Sequence, residues 1–215
     1  MRVFTYVIQF DAGAAPNYCE PATTLAICKP RIRRSAQVGD AVLAFQGSFL
    51  GPEPHAVCWA GLITEKLIFE DYWNDARFAS KKPDACSVPD NIYLPMRGGL
   101  AQVRNNVHGP EETQKDIGGQ FVLVCGESWR FGSAAPVMPA DLGLRMVGGR
   151  RAHRAHEIED AQWRRLKAWL NRCAQELGGP ISASEAQRGC GSDKAKTCAH
   201  STKKAAVRRR DARKC

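Results

Sequence analysis

Apolar and polar residues alternate from Val3 to Phe10 and set Phe4, Tyr6, Ile8 and Phe10 on one face, which predicts a half-buried strand. Thr23–Cys28 predicts a second short strand. Pro30 then opens a short helical segment over Arg31–Gln37, and Gly39 closes it. Ala41–Gln46 reads as a strand, and Gly47–Pro54 as a loop. Ala56–Leu67 reads as a long strand bulged at Gly61. Phe69–Asn74 has room for one or two helical turns. Lys81–Pro89 is loop, Asn91–Leu94 a short strand, Arg97–Gly119 a long polar segment, and Phe121–Ser128 a further strand. The clearest helix runs over Glu157–Leu177. There Ile158, Trp163, Leu166, Trp169, Leu170, Cys173 and Leu177 form one stripe, and Gly178-Gly179-Pro180 supplies the stop.

Several short strands, one turn of helix after a basic loop and a closing amphipathic helix predict an α+β fold built on a small mixed β-barrel. Beyond Ile181 the large apolar residues disappear. The expected organisation is therefore one domain over residues 1–180 and a basic, disordered tail over 181–215.

Composition adds limits. At 215 residues, 44% hydrophobic and 25% charged, the chain can bury one real core. No apolar run approaches the roughly 18 residues a membrane span needs, and MRVFTYVIQFDAG reads as a strand rather than a leader. No membrane association and a cytoplasmic location are expected. Nine cysteines in such a chain are not expected to form a disulfide framework. Cys58, Cys125 and Cys173 fall at apolar positions. Cys190, Cys198 and Cys215 lack the paired spacing of a structural zinc site.

The net charge of +9 is uneven. Ten Lys and Arg stand against Asp193 and Asp211 from Ala186 onward, so the tail carries +8 and the body only +1. Bulk attraction to nucleic acid belongs to the tail and should be strongly salt dependent.

The chemistry concentrates in Asp11–Asp40. This loop gathers Asp11, Asn17, Lys29, Arg31, Arg33 and Arg34 around Pro16, Pro21 and Pro30. No strand or helix needs that composition for its own stability, and shaped polar loops commonly serve ligands.

The loop also carries a resemblance. Tyr6-Val7, Asp11-Ala12-Gly13, Ala15-Pro16-Asn17, Thr24-Leu25-Ala26, Cys28-Lys29-Pro30, Ile32-Arg33 and Gly39-Asp40 follow one another in order. TEKLIFEDYWNDARF, Asp90-Asn91-Ile92-Tyr93, Asn106, His108, FVLVCGESWRFG and Gly149-Arg150 with His153 continue the series. Over about residues 1–177 this pattern resembles the second of the nucleotide-modification-associated domain families, found in bacteria and phages near systems that modify DNA bases. Gly39-Asp40, AVLAFQGS, VCWAGLITEKL and FEDYWND also resemble, in their order, the PUA-like superfamily and its EVE branch. The resemblance implies a partner that is a nucleotide or nucleic acid, DNA with modified bases above all, and a setting among other base-modification proteins.

Such a base is read by stacking and by fixed polar groups. The binding set expected on this basis is Asp11, Asn17, Lys29, Arg31, Arg33, Trp73, Asn91, Tyr93, Arg150 and His153. Tyr72 stands beside Trp73 on the short helix as a further stacking aromatic, and Tyr6 reads as a core aromatic. Catalytic candidates are Asp11, Cys28 and His153, with Lys29, His108 and His156 also available. Cys28 beside Lys29, or Asp11 with His153, would form a working pair. His153-x-x-His156 sets two ligands on one helix face but has no third, so no metal is expected. No P-loop, dinucleotide fingerprint, H-E-x-x-H or deaminase signature occurs, and no cofactor is expected. Recognition of a nucleotide or modified base is the leading reading. An enzyme that installs, elaborates or removes a modification, and an interaction module anchored by the tail, stand beside it.

Overall fold

The computed structural model describes residues 1–177, apart from Phe49, Pro52, Pro54 and residues 145–152. Arg150, the helix stop at 178–180 and the tail from 181 lie outside the described residues.

The core is a six-stranded mixed sheet built from β1 (Arg2–Ile8), β2 (Thr23–Leu25), β3 (Ala41–Gln46), β4 (Val57–Ile68), β7 (Phe121–Arg130) and β8 (His153–Glu157). The spatial order is β2-β7-β4-β3-β1-β8. Only β1 and β3 pair in parallel. A separate hairpin joins β5 (Tyr93–Met96) to β6 (Gly99–Gln102). Helices α1 (Pro30–Ser35), α2 (Phe69–Asn74), α3 (Thr113–Ile117) and α4 (Asp160–Glu176) pack around it.

This is an α+β fold with a mostly sheet core, but no closed barrel is found among the described residues. β2 ends after three residues where the chain turns toward α1, and β8 ends where the path into α4 begins. Among the described residues the edge strands β2 and β8 do not pair with each other, so the expected barrel is not confirmed.

Alternation decides which residues go to which side. Val3, Leu43, Phe45, Val57 and Ala60 take one face, where Leu166, Trp169, Leu170, Cys173 and Ala174 of α4 cover them. Phe4, Tyr6, Ile8, Val42 and Ala44 take the other, beneath Tyr18, Ile32 and Ala36. A third cluster gathers Ile27, Phe69, Tyr72, Phe78, Ile92 and Tyr93 at the β2–β7 end.

Three local expectations change. β1 stops at Ile8, so Phe10 leaves the apolar face and is 62% exposed. The segment at His153 is a strand paired with β1, not a helix, so His153 and His156 point to opposite faces rather than sharing one. The polar stretch 97–119 contains β6 and α3, whose short apolar runs carry too little periodicity to be read.

Cys19 and Cys86 meet with sulfurs 3.0 Å apart, both buried, and tie the proline loop to the segment before β5. The mutual hydrogen bond separates the pair, raising Cys19 and lowering Cys86, while burial pushes both thiols up. Treatment with diamide is expected to join Cys19 to Cys86 while leaving buried Cys58 and Cys125 as thiols. Peptide mapping without reductant checks this, and recovery of both as free thiols would contradict it.

Candidate active site

The chain leaves β2 through Ile27 and makes a sharp turn at Cys28 and Lys29, with φ of 56° and 41°. Two successive non-glycine residues in the left-handed region cost roughly 1–2 kcal/mol each, and such strain gathers at functional sites. Pro30 then starts α1. Four bonds hold the turn and its surroundings. The Cys28 N–H donates to Asp116 Oδ1 at 2.7 Å, and Arg33 Nε donates to the Cys28 carbonyl at 2.8 Å. The other arms of the same guanidinium donate to the carbonyls of Phe121, at 2.7 Å, and Asp116.

Arg33 is completely buried, and burial lowers its pKa to about 10 against the opposing pull of Asp116. Gly119 makes room for it, since a Cβ there would fall within 2.5 Å of the guanidinium carbon and both terminal nitrogens.

Asp116, on α3, is the hub. Its Oδ2 accepts from Tyr93 Oη at 2.8 Å and lies 2.6 Å from His108 Nδ1. That bond turns His108 Nε2 toward Cys28 Sγ, 3.4 Å away. The N–H groups of His108 and Val107 are tied in turn to the Asn105 side chain. Burial pushes the imidazole pKa down, but the bonds to Asp116 and Cys28 outweigh it and raise the value to about 10. Burial likewise pushes Asp116 up, and its bonds to His108, Cys28 N–H and Tyr93 hold it below the ordinary carboxylate value. A half-buried thiol, an imidazole and a buried carboxylate thus lie in hydrogen-bonded series.

Cys28, His108 and Asp116 also present ligand atoms within 4.8 Å of one another. The carboxylate is already committed: Oδ1 to Cys28 N–H, Oδ2 to His108 and Tyr93. A metal would have to take Asp116 from all three, so the donor set fits an oriented imidazole better than a coordination shell.

The other expected residues divide into groups. Asn17 is buried and structural: it bridges to Thr24, its Nδ2 donates to Val88 O, and its Oδ1 accepts from Cys19 N–H and buried Lys81. Asn91 donates to Tyr72 O, and Tyr93 packs edge-on against Phe69. Arg31 is exposed. Lys29 Nζ lies 4.4 Å from the Tyr6 ring centroid, and Trp73 lies under Lys82 Nζ at 4.3 Å. His153 is lowered by burial and by the charges of Arg31 and Lys29, which favour its neutral form. Asp11 accepts from Gly13 N–H and Tyr18 Oη and faces Arg130 at 3.8 Å. The structure pairs Cys28 with His108, and Asp11 with Tyr18 and Arg130.

Asp116 was not among the sequence candidates. The only signal was chemical, in that a Cys and a His with a working relation ask for an acid.

The family model described as nucleotide modification associated domain 2 matches residues 1–187. The chain belongs to that family. No curated protein and no solved structure matches it. The matched span takes in all three members of the relay, the loop that presents Cys28 and the whole sheet. Among the described residues of this family member no helix is long and apolar enough to cross a membrane.

Arg33→Lys keeps a charge but loses the fork, leaving buried carbonyls unpaired. It is expected to lower the unfolding free energy by about 3 kcal/mol in urea titrations. The pH dependence has a definite sign. His108 lies above its unfolded value of about 6.5, so its contribution is fully present below about pH 6.5 and is lost as pH rises through about 10. Asp116 lies below its unfolded value, so its contribution is lost only as pH falls through that lowered value. Wild type is therefore expected to exceed His108→Gln by about 1.5–3 kcal/mol near pH 6, with the gap closing toward pH 10. Urea titrations at the two pH values would refute the charged pair if the gap stayed constant.

Proposed function

We propose that this domain is a cysteine-dependent enzyme acting on a nucleobase or nucleotide within a DNA base-modification system. One observation carries the reading: the unbroken path from Cys28 Sγ through the His108 ring to Asp116. A thiol facing one imidazole nitrogen, with a carboxylate on the other, is the arrangement that activates sulfur for attack on an electrophilic carbon. Cys28 is the nucleophile. His108, charged at neutral pH, faces the sulfur as an imidazolium and gives its proton to the leaving group. Asp116 fixes the ring and balances the imidazolium, and Tyr93 holds Asp116 from below. Cys28 is only half-buried, which suits attack on an incoming group. The substrate class comes from the family description.

Recognition without chemistry is the second reading. It is favoured by the convergence of Lys29, Arg31 and His153 at the β8 edge, where a phosphate would be welcome. Asp11 and Trp73 remain available to such a ligand. The +8 of the tail would add salt-dependent affinity for a polymer. On either reading the partner is a nucleotide or DNA, together with other proteins of the modification system.

The test uses thiol labelling. Iodoacetamide at pH 7 is expected to label Cys28 in the native protein, as read by peptide mass. His108→Ala and Asp116→Asn are each expected to slow that labelling at least tenfold. Equal rates in wild type and both variants would remove the catalytic reading and leave recognition.

A further inference from the structure

A row of side chains crosses the sheet beneath the proline loop. The register aligns His153 of β8, Tyr6 of β1, Ala44 of β3, Trp59 of β4 and Arg130 of β7. Directly paired positions share a face, so all five project the same way. The register then jumps from Ala44/Trp59 to Phe45/Val57, which makes Cys58 the bulged residue and sharpens the local twist. Ala44, the smallest member, stands between the two large rings of Tyr6 and Trp59.

The polar atoms of this row are unusual. Tyr6 Oη, Trp59 Nε1, Arg130 Nε and Arg130 Nη1 are buried and have no hydrogen-bond partner among the described residues. Gln9 Oε1 is the one other such side-chain atom. Four of five orphaned atoms thus fall in a single row, although buried polar groups are nearly always paired. A guanidinium with unpaired nitrogens is the costliest kind to leave so.

Arg130 is otherwise engaged only at the rim. Its Nη2 lies 3.8 Å from Asp11 Oδ2, and its guanidinium carbon lies 4.0 Å from the Tyr18 ring centroid. Trp59 and Arg130 can only donate, Tyr6 can donate or accept, and ionised Asp11 can only accept. The row therefore asks for a flat group rich in acceptors, with a hydrogen to give at the Asp11 end.

We propose that this row is the seat of a nucleobase. Arg130, Trp59 and Tyr6 read its carbonyl and ring-nitrogen acceptors, and Asp11 accepts an amino or imino hydrogen. The base takes the stacking place on Arg130 that Tyr18 holds in the free protein. At the other end of the row, Lys29, Arg31 and His153 receive the phosphate. Tyr6 links the row to the relay: Lys29, the residue after Cys28, lies over its ring, and Cys28 is close enough to add to the burial that raises the phenol pKa. The substrate class rests on the proposed function, whereas the seat does not depend on the chemistry of Cys28.

The test measures affinity and stability together. The full chain is titrated calorimetrically with the four 2′-deoxynucleoside 5′-monophosphates, and with inorganic phosphate as control. At least one nucleotide is expected to bind, and phosphate alone much more weakly. Tyr6→Phe keeps the ring and deletes the orphaned hydroxyl, and Trp59→Phe deletes the orphaned N–H together with part of the indole. Both are expected to weaken nucleotide binding about tenfold or more, and Tyr6→Phe to do so while its melting temperature holds or rises, because an unpaired buried group has been removed. Unchanged affinity in both variants overturns the seat, as does phosphate binding as tightly as nucleotide, or no nucleotide binding at all. Falling melting temperature with unchanged affinity also overturns it and makes the row a site for bound water. Cys28→Ser is expected to keep the binding. If row-dependent binding stands while the thiol-labelling result fails, only the catalytic reading is lost.

Discussion

Three bonds from Arg33 to the carbonyls of Cys28, Phe121 and Asp116 join segments that are distant in sequence. The fork fixes the strained turn, the end of α3 and the start of β7 at once. A lysine cannot do this, because one ammonium has no planar set of donors. Gly119 is subordinate to the same demand, for any larger residue would push into the guanidinium. Burial makes the cation costly, and the carbonyls and the Asp116 carboxylate are what repay it.

The sheet gives the site its second constraint. Cross-strand register places Tyr6, Ala44, Trp59 and Arg130 side by side although they come from four strands. Rigid elements position side chains more firmly than loops do, and here the loops bring only the covering groups Asp11 and Tyr18. Lys29 and Arg31 add cationic character near His153 at the β8 edge of a body whose net charge is close to neutral. Charge is thus local, where a phosphate would sit, and the general basic character is left to the tail.

Much of this fold was legible in the sequence. Alternation placed β1, β3, β4 and β7 within one or two residues, and the 3/4 stripe placed α4. Cys28 and His108 were recognisable as reactive types. Their relation to each other and to Asp116 was not, because 80 and 88 residues separate them from Cys28 and no spacing rule spans such a gap. The binding polar groups were legible as types but not as roles. Asn17, Arg33, Asn91 and Tyr93 look like ligand groups in a string of letters, yet each is committed inside the chain. A buried side chain bonded to main-chain carbonyls has the same composition as an exposed one bonded to a base. β8 was missed because His-Arg-Ala-His-Glu has no apolar alternation, and only pairing with β1 makes it a strand.

The separation of Cys28 from Asp116 has a further consequence for how the protein matures. The turn comes early in the chain, while its anchor lies in α3 and its last carbonyl partner in β7. A nascent or partly opened chain holds the cysteine without the imidazole and carboxylate that arm it. On the proposed reading of Cys28, reactivity is therefore a late property, gained only when most of the domain has closed. On that reading a reactive thiol is absent during synthesis, and it appears only as the relay closes.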